Sequence, residues 1–554
     1  MNADELLRHY EHVADAPEAV ARLRRFVLDL AVRGKLVPQD PADEPAAELL
    51  KRIARERAKP VDARPGHKQA WPADLVVALP HGWATAKFEE VLLDLQTGPF
   101  GSSLHQSDYV VGGTPVINPA SIQGERIVPI DKMAVGPATL ERLAAFKLRA
   151  GDVVLGRRGE MGRCAVVTDY EQGWLCGTGS LILRLSGQMC ARFVVLLVGS
   201  PSVRNYLGGK AVGATMQNLN QSILLNLAIG LPPAAEQHRI VAKVDELMAL
   251  CDRLEAARAQ RETARDRLAR SCLARLDTPD PETFREDARL ALDALPALTA
   301  RPDQIKPLRQ TILNLAVRGH LTCRDVQGKA NVQSVTAVHG QFDVPDNWAW
   351  RFAIDLCERI ESGSTPPSAE MFEGAGDVPF IKVYNLTKTG ALDFSVKSTF
   401  VSRETHMRRL SRSRILPGDV LMNIVGPPLG KVSIVPATYP EWNTNQAVVL
   451  FRPSPELLAR YLAICLLSES VLSQLTDLAQ QTVGQVNISV GKSRRLPIPL
   501  PPLAEQHRIV AKVDELMALC DQLETQLNTT ETDSRRLLEA VLHETPSPAL
   551  EEAA

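Results

Sequence analysis

The residues that could do chemistry fall into two groups: fragments of catalytic motifs, and clusters of guanidinium and amide groups suited to binding. The best catalytic fragment is Val490-Gly-Lys-Ser493. A phosphate-cradling loop needs a glycine five residues before the Gly-Lys pair, so that several backbone N–H groups can converge on one anion. Val486 stands there, and RRLPIPLPP at 494–502 cannot form the helix that should follow. The glycine-rich stretch GRRGEMG at 156–162 misses the dinucleotide spacing, and two prolines stiffen its counterpart GPPLG at 426–430. No Asn-Pro-Pro-aromatic or Asp-Pro-Pro-aromatic tetrapeptide occurs, so an amino-methyltransferase site is unsupported. His238 and His507 have no second histidine or cysteine at ligand spacing, and the nine cysteines form no C-x-x-C pair. The sequence therefore predicts no catalytic residue, no metal site and no bound cofactor.

The binding groups are more numerous. Arg403, Arg408, Arg409, Arg412 and Arg414 lie in one stretch whose only acid is Glu404. Lys492, Arg494 and Arg495 form a second cluster, and Arg157, Arg158 and Arg163 surround the first glycine-rich loop. Such charges suit phosphate contacts that position a protein on DNA; for any one of them the alternative is a solvated surface. Base readout needs amides and hydroxyls at groove edges. The candidates are Gln96, Ser102, Asn118, Gln217, Asn218 and Asn220 early in the chain. Later come Ser364, Asn385, Asn443, Asn445, Gln446, Gln485 and Asn487. All are also ordinary turn residues. The net charge of −2 does not advertise a nucleic-acid partner, but acids are concentrated elsewhere, at 282–293 and in the tail from Glu551.

What positions these groups is a phrase the chain uses twice. LPPAAEQHRIVAKVDELMALCDRLE at 231–255 returns at 500–524 with only Ala234 changed to Leu503 and Arg253 to Gln522. Ile240, Val244, Leu247, Cys251 and Leu254 alternate at spacings of four and three, as do Ile509, Val513, Leu516, Cys520 and Leu523. That is a coiled-coil seam, and it predicts two matched long helices packed on each other, the first running through 236–272. Glu236 and Glu505 sit near the helix N-termini, where a carboxylate interacts favourably with the helix dipole.

Other phrases repeat in step. LAVRGKL at 30–36 answers LAVRGHL at 315–321, with Gly34 and Gly319 placed to end helices. LPHGW at 79–83 answers VPDNW at 344–348, and a turn followed by a buried strand recurs at 148–155 and 416–421. The expectation is a mixed α+β protein of five segments. Residues 1–78 form an N-terminal helical segment and linker. Strand-rich domains at 79–233 and 344–502 flank a central helical region at 234–343, and a C-terminal helix and tail occupy 503–554. If the chain ends meet, the halves close into a circular pseudo-two-fold repeat.

Pro-Pro, AEQHRIV and an acidic-apolar helix containing Cys-Asp-x-Leu-Glu resemble a region of the specificity (S) subunit of type I restriction-modification systems. The resemblance covers roughly 21–542 of the chain. It implies two target recognition domains, each reading half of a bipartite double-stranded DNA site, separated by antiparallel coiled-coil helices. It also implies two methyltransferase (modification) subunits carrying S-adenosylmethionine, and restriction (motor-nuclease) subunits using ATP and Mg. The alternative is a coiled-coil adaptor of another DNA-defence complex, without sequence readout of its own. With 45% hydrophobic and 23% charged residues, no long apolar run and no signal pattern at the N-terminus, the sequence fits a soluble cytoplasmic protein without a membrane partner.

Overall fold

The computed structural model describes residues 18–57, 79–100, 103–210, 219–280, 282–322, 342–426, 429–477, 480–482 and 485–543. They form two compact units, and the described chain passes from the first to the second after Gln260 and returns to the first after Thr530.

In the first unit, helix α1 (Ala19–Val32) buries Val20, Leu23, Val27 and Leu30 at helical spacing. Gly34 stops it in the left-handed region at φ 66°, and Lys35 N–H donates to Leu30 O at 2.9 Å. A Cβ at Gly34 would lie 2.5 Å from Pro80 and 2.8 Å from Trp83. The repeated LAVRG phrase and the Leu-Pro-x-x-Trp turn are thus two sides of one contact.

Strand β1 (Ala84–Lys87) follows that turn, and the main sheet then takes β2 (Leu92–Thr97), β3 (Val153–Gly156), β4 (Cys164–Val166) and β5 (Ser180–Leu185), antiparallel in the order β2-β5-β3-β4. Val153, Leu155, Leu181 and Leu183 pack with Phe193 and Leu197 of helix α2 (Ala191–Gly199), whereas Val154 and Ile182 join Ile117, Ile122 and Leu148 on the opposite face. Burial on both faces explains why these strands read as unbroken apolar runs. Fully burying a side chain such as Phe193 contributes roughly 1.5–3 kcal/mol. A second sheet joins Thr114–Ile117, in parallel, to Leu175–Cys176, and in antiparallel fashion to Ala134–Val135, which also pairs with Tyr109–Val110. Strand β6 (Ala228–Leu231) returns to β1 with Ala84 opposite Leu231 and launches helix α3 (Ala234–Asp277) from the Pro-Pro stop.

The second unit is built from the same parts. Helix α4 (Pro302–Val317) ends at Gly319, φ 74°, whose Cβ would meet Pro345 at 2.5 Å. Strand β7 (Ala349–Phe352) leads to a sheet of β8 (Cys357–Ser362), β9 (Val420–Asn423), β10 (Val432–Ile434) and β11 (Val448–Pro453), in the order β8-β11-β9-β10. Helix α5 (Ala459–Leu467) covers one face, β12 (Pro497–Leu500) pairs with β7, and helix α6 (Leu503–His543) follows.

The seam has different partners from those expected. Ile240, Val244 and Leu247 belong to the core of the first domain, and Ile509 and Val513 to that of the second. Leu516, Cys520 and Leu523 pack against Ile305, Leu308 and Ile312 of α4. Cys251 is buried and Leu254 half-buried, on a stretch where Arg24 of α1 pairs with Asp252 at 2.7 Å and Glu255 at 2.8 Å. Heptad spacing reveals which face of a helix is buried, not what buries it. Here a domain core and a short repeated helix occupy much of the face assigned to a second long helix.

Glu236 and Glu505 also do more than meet a dipole. Glu236 is buried and accepts from Trp83 Nε1 at 3.0 Å and Gln39 Nε2 at 3.3 Å, and Asn347 Nδ2 donates to Glu505 at 3.0 Å. Burial raises the Glu236 pKa above the usual carboxylate value, against the pull of these two donors. The neighbouring Gln237 and Gln506 are buried as well, accepting from Cys190 N–H and Leu458 N–H at 3.0 and 2.9 Å. His238 and His507 are exposed.

Candidate nucleic-acid interface

One turn sets the height of the central strand in each domain. Asp152 accepts from Arg149 N–H at 2.9 Å and Asp419 from Leu416 N–H at 2.8 Å, with Gly151 and Gly418 at φ 87° and 88°. The other end of the strand forms a rim. There Arg157 N–H donates to Gly179 O and Leu219 N–H to Arg157 O; in the second domain Ile424 N–H donates to Ala447 O and Ile488 N–H to Ile424 O. A Cβ at Gly98 would lie 2.0 Å from Gly177 O, and one at Gly363 1.8 Å from Thr444 O. Only glycine permits these close approaches, which fix where the first strand leaves the sheet.

Several of the sequence candidates meet there. Gln96 is half-buried on β2 and pairs in register with Ile182. Arg158 is exposed and has no ion-pair partner among the described residues. Partial burial and the neighbouring Arg158 lower the Arg157 pKa from its usual value, yet a guanidinium remains charged. In the second domain Ser364 is exposed, Asn445 accepts from Ala447 N–H at 3.1 Å, and Gln446 accepts from Thr365 Oγ1 at 2.6 Å. Gln485 and Asn487 belong to a hairpin in which Gln480 faces Asn487 and Thr482 faces Gln485. Two rim residues escaped the sequence reading: Gln221 Nε2 donates to Thr97 Oγ1 at 2.7 Å. Their signal was only adjacency to Asn220 and Gln96. Ser102, Gln217 and Asn218 lie outside the described residues.

Other candidates serve the fold. Asn385 is fully buried; it accepts from Lys382 N–H at 3.0 Å and donates to Asp393 O and Val396 O, so no face of it is left for a base edge. Asn443 is equally buried, between His406, Leu410 and Ser413. Asn118 packs its amide oxygen where Gly177 lacks a Cβ and donates to Met133 Sδ at 3.3 Å. Asn220 caps a short helix by accepting from Ser222 N–H at 3.2 Å.

The arginine stretch is also more balanced than its sequence suggests. Arg408 pairs with Glu404 at 3.0 Å, but Arg409 reaches Glu370 at 2.7 Å, and both Arg403 and Arg414 meet Glu441. Arg163 pairs with Glu160 at 3.2 Å and Arg494 with Glu361 at 2.9 Å. Acids distant in sequence supply the counter-charge. Arg412 and Arg495 are exposed and without an acidic partner among the described residues. The buried Cys164 thiol is pushed up to about 12 by desolvation, which keeps it protonated and unreactive.

The catalytic fragment at 490–493 forms a single helical turn, Val490–Arg494, capped by Ser489 and followed by β12, with no room for a phosphate-binding helix. No group of three potential metal ligands occurs among the described residues, and no described helix is long and apolar enough to cross a membrane.

Two copies of a type I restriction modification DNA specificity domain match the chain, at residues 80–261 and 345–530. The chain belongs to the type I restriction-modification DNA specificity family. It is similar to the Type I restriction enzyme EcoEI specificity subunit of Escherichia coli, with 25% identity across 94% of this chain and 93% of the relative. The EcoAI specificity subunit of Escherichia coli is 24% identical over the same shares. Among solved structures, the HsdS subunit from Thermoanaerobacter tengcongensis aligns at a TM-score of 0.47 and 21% identity, over 84% of this chain and 97% of that one. A specificity subunit is a recognition subunit with two recognition domains; catalysis sits in its partner subunits.

Proposed function

We propose that this specificity subunit reads a bipartite DNA site, one half with the domain at 79–233 and the other with the domain at 344–502. The observation that carries this reading is one framework used twice with different rims. The strand order, the Gly-Asp turn, the Gly-Trp contact and the buried Glu-Gln pair recur, while the polar groups along the rim do not. Two readers of different half-sites need this combination.

The segments at 1–78, 234–343 and 503–554 serve as spacer and docking surface. Helix α3 begins in the first unit and ends in the second, and α6 does the reverse. That supports an antiparallel coiled-coil pair and a circular pseudo-two-fold repeat. Two modification subunits supply S-adenosylmethionine and methylate adenine, and restriction subunits supply ATP- and Mg-dependent motion and cutting, all in the cytoplasm. This chain binds none of those cofactors.

Co-expression with an adenine methyltransferase partner, followed by methylation mapping at base resolution, tests the proposal. The expected outcome is one recurring motif of two defined blocks around an undefined gap, lost when this chain is omitted. A single contiguous motif, or methylation unchanged by its omission, would overturn the reading.

A further inference from the structure

A groove beside β2 in the first domain is lined by Asp94, Gln96, Lys147, Arg149 and Arg184. It presents three cations and one carboxylate. Lys147 and Arg149 have no acidic partner among the described residues. Arg184 lies 3.7 Å from Asp94 and 4.0 Å from Asp152, and its Nε is buried with no hydrogen-bond partner. A buried charged donor left unmatched costs free energy unless something accepts from it.

The second domain shows the same place closed from within. Leu148 N–H donates to Trp174 O and Ile415 N–H to Trp442 O, which puts Lys147 in register with Arg414. There Arg414 is bound by Glu441. Arg452, the counterpart of Arg184, donates Nε and Nη2 to Asp419 at 2.9 and 2.7 Å. Arg359, the counterpart of Asp94, reaches across to Arg412 O at 2.6 Å. Each of these second-domain arginines donates to an internal acceptor within hydrogen-bond distance, whereas in the first domain Arg184 only comes within ion-pair range of Asp94 and Asp152, and Lys147 and Arg149 make no ion pair among the described residues.

We propose that the groove of Lys147, Arg149 and Arg184 is a phosphate seat that takes the DNA backbone next to the half-site read by the first domain. The proposal rests on the DNA-reading function above and adds an asymmetry to it: the first domain grips a phosphate where the second grips itself. Lys147 and Arg149 supply the donors that a phosphate oxygen would meet, and the Arg184 guanidinium adds its charge from the groove wall. Gln96, on the same wall, then stands between the backbone seat and the rim.

The test compares the wild-type chain with the Lys147→Gln/Arg149→Gln double variant, each in its complex with the modification subunits. Neither side chain makes a hydrogen bond or ion pair among the described residues, so an unchanged melting temperature shows that the variant folds. Phosphate-ethylation interference is read along the target duplex, together with the slope of log binding constant against log salt. The variant should lose interference at one or two phosphates beside a single half-site. It should also flatten the slope by roughly 1–2 units, at about 0.9 per lost phosphate contact, with the recognised bases unchanged. An unaltered interference pattern and slope would overturn the proposal. So would stabilisation of the wild-type chain alone by inorganic phosphate, lost in the variant, while the DNA pattern stays the same; the seat would then serve a small phosphate. Failure of the wild-type complex to select any sequence would instead overturn the DNA-reading function itself.

Discussion

Trp83 and Glu236 tie the opening of the first recognition domain to the first turn of its long helix, with Nε1 donating to Oε1 at 3.0 Å. The carboxylate is buried and also accepts from Gln39, which keeps Gly34 O at 2.8 Å as a second acceptor, so Glu236→Ala leaves the Trp83 donor unmatched. The expected cost is about 1–3 kcal/mol, read by chemical denaturation. Glu505→Ala should weaken the second domain through Asn347, since Trp348 Nε1 has no hydrogen-bond partner. Unchanged unfolding midpoints for both variants would show that the pairs are incidental.

Gly34→Ala combines backbone strain at φ 66° with a Cβ only 2.5 Å from Pro80. Gly112 has a similar φ, 76°, but open space where its Cβ would be. Strain alone should cost Gly112→Ala about 1 kcal/mol, and Gly34→Ala should cost clearly more. Equal losses in thermal melts would mean that the contact with the Trp83 turn yields without penalty.

Much of this framework was legible in the sequence because local chemistry dictates it. A helix stopped by Gly34, a turn capped by Asp152 and strands buried on both faces each leave a local pattern. The repeats then doubled every signal. What did not show was distant pairing. Glu370 and Glu441 neutralise an arginine stretch that looked open, and Asn385 spends its amide on a buried loop rather than on a groove. The Arg184 groove was likewise hidden, because its lining comes from β2, β5 and the segment before Asp152. Acids and amides separated by tens of residues meet only in three dimensions.

Those pairings change what the arginines should do on DNA. Arg412 has no acid to release, so Arg412→Gln should flatten the salt slope by about 0.9 if it meets a phosphate. Arg408→Gln and Arg409→Gln should each change it by less than that, because Glu404 and Glu370 must first be displaced. Slopes measured on specific and nonspecific duplexes check both. A larger effect from Arg408 than from Arg412 would contradict this order.

His406 gives the second domain a pH dependence. Its ring is buried, Asn443 Nδ2 lies 2.9 Å from Nδ1, and Glu441 is 3.6 Å from Nε2. Burial lowers its pKa most; Glu441 pulls it up, while Arg414 and Arg403 push it down. Below the ordinary imidazole value of about 6.5 the unfolded chain binds the proton more readily. Stability contributed by neutral His406 should therefore decline as pH falls through that value towards the folded pKa. His406→Gln should flatten this limb of the denaturation profile. An unchanged limb would assign it to other groups.

The most direct test of two readers held apart by helices is to lengthen both spacers and map the methylated site. Four residues inserted after Gln260 in α3 and four after Thr530 in α6 fall where each helix passes between the units. Each insertion adds about one turn, roughly 6 Å, and largely keeps the side-chain faces. At about 3.4 Å per base pair, both half-sites should stay the same while the gap between them grows by one or two base pairs. A changed half-site, or an unchanged gap in a variant that still methylates, would contradict the account.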